Sequence, residues 1–132
     1  MPLDPAWRPP LAIALGAAAG ALSRHYLTLW FAQRLGGSFP YGTAAVNLSG
    51  CLAMGLLVAA ALVRTNDIAP ELRLLVGTGF LGAYTTFSSY ELESLALWRD
   101  RGAVIAGCYW LGSATLGAVG VRLGMLLGRL LG

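Results

Sequence analysis

The residues best suited to chemistry lie together near the middle of the chain. The segment runs Val76-Gly77-Thr78-Gly79-Phe80-Leu81-Gly82-Ala83-Tyr84-Thr85-Thr86-Phe87-Ser88-Ser89-Tyr90, uncharged throughout, glycine-rich at first and then dense in hydroxyls and rings. A helix facing lipid has no use for so many hydrogen-bonding groups, nor for so many glycines that weaken it. A segment lining a polar path across a bilayer has use for both. Phe87 and Tyr90 are three apart and share a helical face, flanked by Ser88 and Ser89. Ring edges carry partial positive charge, so these edges and hydroxyls together form a donor set that could solvate a small anion. Simple packing of two rings accounts for the same spacing.

Other positions extend this chemistry. Gly77, Gly79 and Gly82 lead into Ala83-Tyr84-Thr85-Thr86, and a helix break is expected between Gly82 and Thr86. Unwound backbone at membrane depth is tolerated where it is buried in protein or lines a cavity, and its carbonyls bind cations. The competing expectation is an unbroken helix whose Thr and Ser hydroxyls bond back one turn. Asn47 stands inside an apolar run, with Thr43 four residues before and Gly50 three after; an amide there bonds a neighbouring helix or faces a polar path. Tyr109 and Ser113 share a face at i,i+4. Arg24 lies about two-thirds along the first apolar run, which marks either a functional site or a side chain snorkelling to the interface. Glu91 and Glu93 follow the aromatic pair, one of them placed for a vestibule.

The elements that must carry these residues are membrane helices. The chain has 132 residues, 57% hydrophobic and 11% charged, against roughly 25% charged in soluble domains. Four apolar segments, 11–32, 43–63, 72–98 and 103–127, each meet the roughly 20 residues needed to span hydrocarbon. Short connections make them one four-helix transmembrane domain, residues 1–132, an all-α membrane protein with its third helix broken near the middle. Gly16 and Gly20, and the strip Gly120, Gly124, Gly128, have the small-residue spacing of close helix contacts. The proline-rich start around Trp7 has no basic region leading to a cleavage site, so the first apolar run is expected to stay in the protein.

Several function classes are disfavoured. The nine basic residues are all arginine, and the net charge of +3 is too small and scattered for nucleic acid. A single histidine, His25, removes most metal-site and triad chemistry, and Cys51 and Cys108 lie inside apolar runs as small packing residues. No phosphate loop and no nucleophile with a base is present, so no enzyme is expected.

Orientation is weakly specified. An even number of spans puts both termini and the loop around Asn66 on one side, with Arg8, Arg64, Arg73 and Arg129, and Arg122 arguable; Arg34, Arg99 and Arg101 fall on the other. Such balance permits insertion both ways and hence antiparallel dimers. Four helices around one axis fill their centre with side chains, so a conduction path is more easily built between two subunits.

The pattern Gly16-xxx-Gly20-Ala21-xx-Arg24, Gly42-Thr43-xx-Val46-Asn47-xx-Gly50-xxxx-Gly55 and Gly79-Phe80, then Thr85-Thr86-Phe87-Ser88, resembles the Fluc (CrcB-type) fluoride channels over nearly the whole chain. The resemblance implies a multi-pass channel of the cell (inner) membrane that lets toxic fluoride leave the cytoplasm. It implies a dual-topology antiparallel homodimer with two pores and a structural Na⁺ at its centre. It further implies that the Gly82 and Thr85 carbonyls hold the Na⁺ and that Phe87 and Tyr90 are the aromatic-box pair. Asn47 becomes a pore donor, Ser88, Ser89, Tyr109 and Ser113 polar pore positions, and Arg24 and Glu93 vestibule residues. The chain has Tyr90 where the family usually has Phe, Ala83 where it has Gly, and His25 where it often has an aromatic. A small dual-topology drug/proton exporter is the alternative, but it needs an embedded carboxylate, and the first two segments hold none.

Balanced arginines predict antiparallel insertion. Gly37→Cys, in a chain with Cys51 and Cys108 replaced by alanine, should label from both faces of the membrane; labelling from one face alone would count against it.

Overall fold

The computed structural model describes residues 4–63 and 68–130; Arg64, the loop around Asn66 and the first residues of the N-terminal stretch lie outside them. All regular structure among the described residues is helical. A 3₁₀ turn, Pro5–Trp7, leads into α1 (Arg8–Leu35), followed by α2 (Tyr41–Val63). The third segment is composite: α3 (Pro70–Arg73), a π-helical stretch Leu74–Leu81, α4 (Gly82–Tyr84), two extended residues, then α5 (Phe87–Arg101). A single glycine, Gly102, joins α5 to α6 (Ala103–Leu130). Its φ of 90° is the left-handed turn that glycine adopts without a side-chain clash, and its N–H closes on the Trp98 carbonyl at 3.1 Å.

The four expected segments are all helical, with ends a few residues wider than apolarity suggested. Only α2, over Tyr41–Leu62, and α6 are both long and apolar enough to cross a membrane as single described helices. α1 and the third segment, each of spanning length in the sequence, differ from these two for separate reasons. α1 has 28 residues but carries Ser23, Arg24, His25 and Tyr26 in its second half, and the third segment is divided by its break into helices of 15 residues or fewer.

Glycine contacts set the packing. α1 lies on the π stretch so closely that a Cβ on Gly16 would fall 2.0 Å from the Leu75 carbonyl oxygen, and one on Gly20 2.2 Å from that of Phe80. α2 and α6 meet the same way: a Cβ on Gly55 would lie 2.1 Å from the Val121 oxygen, and one on Gly124 2.2 Å from the Leu52 oxygen. Such backbone proximity, rather than large interlocking side chains, is how helices associate where lipid is as apolar as leucine. The π stretch belongs to this arrangement. Gly82 N–H reaches the Gly77 carbonyl five residues back, the wider winding of a π-helix, and also the Gly79 carbonyl.

The third segment changes neighbours along its length. Its first half, through Tyr84, packs on α1; its second half, α5, packs on α6 around buried Tyr90, Leu97, Ala106 and Tyr109. The break lies where the partner changes.

Two glycines of one strip should respond differently. Gly124→Ala meets backbone and should cost about 1–3 kcal/mol in overpacking. A Cβ on Gly120 would sit 3.6 Å from Cys51 Cβ, an ordinary contact, so Gly120→Ala should stay within about 1 kcal/mol of the parent. Thermal unfolding in detergent compares them; equal losses would refute the close-approach account.

Candidate functional site

The break at Thr85 and Thr86 is extended, with φ −82° and ψ 158° at Thr85 and φ −148° and ψ 117° at Thr86. It falls within the stretch expected for it, and one feature of the competing expectation coexists with it: Thr85 Oγ1 donates back to the Leu81 carbonyl at 3.0 Å. α2 seats the break. Val46 is fully buried, and a Cβ on Gly50 would lie 2.3 Å from Thr85 Cγ2, so only glycine admits the threonine there. Ser49 Oγ and Tyr84 Oη are 2.9 Å apart on the same side.

Asn47 completes the seat. Its Nδ2 donates to the Thr86 carbonyl at 3.0 Å, and the Thr86 N–H donates to its Oδ1 at 2.8 Å. The side-chain amide thus pairs with a main-chain unit as another peptide would. One Nδ2 hydrogen is left over, since a primary amide has two donors.

α5 begins with Thr86 as its N-cap. Thr86 Oγ1 accepts the Ser89 N–H at 3.3 Å and donates to Ser89 Oγ at 3.0 Å. Side-chain oxygens cap helix starts because the first N–H groups have no helical acceptor. Ser88, next along, is exposed. Phe87 and Tyr90 have centroids 5.9 Å apart with planes tilted by 44°. They differ sharply in environment: Phe87 is 74% exposed and Tyr90 7%. The Tyr90 hydroxyl donates to the Trp110 carbonyl on α6, which turns it away from Phe87's open surface.

From Tyr90 the rings continue. Tyr109 is 5.4 Å from Tyr90, and Phe39 stands edge-on to Tyr109 at 5.4 Å. Glu93 lies beside this row with both carboxylate oxygens engaged. Thr43 Oγ1 donates to Oε1 at 2.7 Å and Tyr109 Oη to Oε2 at 3.1 Å. A part-buried carboxylate needs such donors, because an unpaired charge taken out of water is costly. Glu93 also lines a cleft of about 630 Å³ that opens between α1, the 36–40 loop and α5. Asp100 stands in its lining, its carboxyl held below the ordinary range by the Arg99 guanidinium, which donates to it at 2.7 Å.

The sequence-predicted residues therefore divide. Asn47, Thr85, Phe87, Ser89, Tyr90, Glu93 and Tyr109 lie along one track from break to cleft, as a hydrogen-bonded group at the break and a ring group leading to Glu93 that follow each other along α5. Gly82 is exposed one turn before the break. Ser113 is part-buried, and its hydroxyl makes no hydrogen bond among the described residues. Arg24 is not joined to Glu93: His25 lines the cleft, whereas the bond found at Arg24 is its carbonyl accepting from Thr28 Oγ1 at 2.8 Å. Three contributors were missed as site residues. They are Thr86, Phe39 and Trp110, whose Nε1 donates to Glu91 Oε1 at 3.0 Å. Only Thr86 carried a local signal, as a hydroxyl residue at a helix start.

Among the described residues, no three His, Cys, Asp or Glu side chains gather as a metal-binding group. Any cation at the break would rest on neutral oxygens, main-chain carbonyls among them.

Comparison with known proteins gives the family. The family described as CrcB-like protein, Camphor Resistance (CrcB), matches residues 11–125. A protein of Trichormus variabilis named fluoride-specific ion channel FluC is 58% identical over 129 residues, 98% of this chain and 94% of that protein. Its namesake from a Synechococcus strain is 54% identical, covering 97% of this chain and 98% of that one. Another, from a Synechocystis strain, is 48% identical over 92% and 93% of the two chains. With the family match running over most of its length and relatives this similar end to end, the chain belongs to the CrcB family.

Proposed function

We propose that the protein is a fluoride-selective channel of the cell (inner) membrane, passing fluoride out of the cytoplasm. The observation that carries this reading is the run of hydroxyls and rings along α5 from Thr86 to Glu93, in a chain whose relatives are named fluoride-specific ion channels. Fluoride holds its hydration water tightly, so a path for it must offer replacement donors, each weak enough to let the ion leave. The track offers several: the spare Nδ2 hydrogen of Asn47, the Ser89 hydroxyl and the edges of Phe87 and Tyr90; Tyr109, its hydroxyl given to Glu93, adds its ring, and Ser88 and Ser113 are further polar positions beside the track. Glu93, satisfied by two hydroxyl donors, stands at the vestibule end, and Arg24 belongs near the outer approach.

The working unit is an antiparallel homodimer with two pores. Support comes from the balanced arginines and from the exposure of Phe87 and Gly82 beside the break, a surface that a second copy would cover. A structural Na⁺ at the dimer centre fits the donor set, because Na⁺ takes hard oxygen ligands. The Gly82 and Thr85 carbonyls would hold it, and its part would be to tie the two breaks together rather than to travel with fluoride.

Reconstitution in liposomes, with efflux followed by ion-selective electrode, tests the function. Fluoride should leave far faster than chloride; equal rates would overturn selectivity, and no fluoride efflux the channel itself. Phe87→Ile removes the ring quadrupole and should lower efflux about tenfold or more, corresponding to about 1.5 kcal/mol. Tyr90→Phe keeps a ring edge and should conduct within about threefold of the parent. It should still lose about 1 kcal/mol of stability with its bond to the Trp110 carbonyl. Normal conduction by Phe87→Ile would make the rings packing residues only. Asn47→Asp puts a negative charge in a low-dielectric path, where repulsion of an anion is severe; efflux should nearly vanish while the dimer still forms.

A further inference from the structure

In an unbroken α-helix each N–H closes on the carbonyl four residues back. Across this break, the Gly82 carbonyl would take the Thr86 N–H and the Thr85 carbonyl the Ser89 N–H. Both donors have been captured by side chains instead. Asn47 Oδ1 takes the Thr86 N–H at 2.8 Å, and Thr86 Oγ1 takes the Ser89 N–H at 3.3 Å. The carbonyls these captures leave without their helical donors are those of Gly82 and Thr85. Asn47 also restrains Thr86 from the other side, through Nδ2 and the Thr86 carbonyl at 3.0 Å.

We propose that Asn47 is a positioning residue for the cation site: by holding the Thr86 peptide at both ends, it keeps the helix open and the Gly82 carbonyl free for a cation. The proposal rests on the Na⁺ reading above and adds to it the cause of the free carbonyl. Asn47 suits the task because a primary amide offers a donor and an acceptor side by side, matching the N–H and C=O of one residue. Gly50 lets the break come against α2 one turn from Asn47, so the amide is within reach of Thr86. When Asn47 is removed, the Thr86 N–H stands unpaired away from water, which is costly. The Gly82 carbonyl is then the acceptor that helical geometry offers it. Closing that bond withdraws the carbonyl from the cation and lets the helix run on through Phe87 and Ser88.

Two variants separate this role from donation to the anion. Asn47→Asp keeps an acceptor for the Thr86 N–H; Asn47→Ala keeps none. Both should lose fluoride efflux, so efflux does not discriminate. The discriminating measurement is thermal stability of the purified full-length protein in detergent, without fluoride, titrated with NaCl against N-methylglucamine chloride at constant ionic strength. The Na⁺ concentration giving half the stabilisation should move at least tenfold upward in Asn47→Ala and less than threefold in Asn47→Asp. An unshifted midpoint in Asn47→Ala overturns the proposal, since a residue serving only the anion path would not move it. Loss of Na⁺ stabilisation in Asn47→Asp equal to that in Asn47→Ala overturns it too. If the parent protein shows no stabilisation by Na⁺, the cation reading fails separately. The opening role is then decided by hydrogen exchange resolved to single amides. The Phe87 and Ser88 amides should become at least tenfold more protected in Asn47→Ala as the helix closes; unchanged or faster exchange there overturns the proposal.

Discussion

Inside hydrocarbon a peptide group has no water to turn to, so each main-chain N–H and C=O must find its partner within the protein. A helix meets that demand by itself; a broken helix does not. The break at Thr85 and Thr86 is therefore the costliest feature of this fold, and the surroundings are arranged around satisfying it. Asn47 supplies one donor and one acceptor from α2, Thr86 caps the helix that follows it, and Thr85 bonds back to the helix before it. The donors that an unbroken helix would give the Gly82 and Thr85 carbonyls are thereby used elsewhere. In the proposed reading these two carbonyls hold the cation, so the arrangement that permits the break would also supply its ligands.

The position of Asn47 depends in turn on contacts far from it. α2 is held along α6 by backbone-to-backbone contact at Gly55 and Gly124, and Gly50 lets the Thr85 side chain come against the helix. On the opposite side, α1 grips the π stretch through Gly16 and Gly20. The two halves of the third segment are thus fixed to different neighbours, and the extended residues between them bridge the two. A methyl group at several of these glycines would push apart helices whose separation sets the reach of one amide.

Beyond the break the track is built from groups that are polar but uncharged, with one exception. Glu93 is part-buried beside rings and hydroxyls in a protein proposed to pass an anion. Hydroxyl donors from Thr43 and Tyr109 occupy both of its oxygens. They draw its charge toward α2 and α6, where it serves as a structural junction between three helices. Tyr90 is tied off in a similar way: its hydroxyl serves the Trp110 carbonyl, so the ring, rather than the hydroxyl, faces Phe87.

Much of this was legible in one chain of letters. Apolar runs of spanning length define four helical segments, glycines at four-residue spacing mark the close contacts, and the Gly82 to Thr86 stretch marks the break. These are properties of consecutive residues, set by local propensity and by the solvent the segment must match. Asn47 could be singled out as an amide in an apolar run, but its partner could not. Thr86 lies 39 positions away, and no local pattern ties a side chain on one helix to a peptide on another. The same holds for Glu93 with Thr43, and for Tyr90 with Trp110. The sequence likewise left the π winding unmarked, because it arises where glycines lie against a neighbouring backbone as well as from the glycines themselves. Local chemistry determined which segments would be helices and marked the Gly82 to Thr86 stretch as the place where one of them could fail, with an unbroken helix the other reading. Only tertiary structure decided how the failure is satisfied, because hydrogen-bond partners in a dry interior are assigned by which helices are brought within 3 Å of one another.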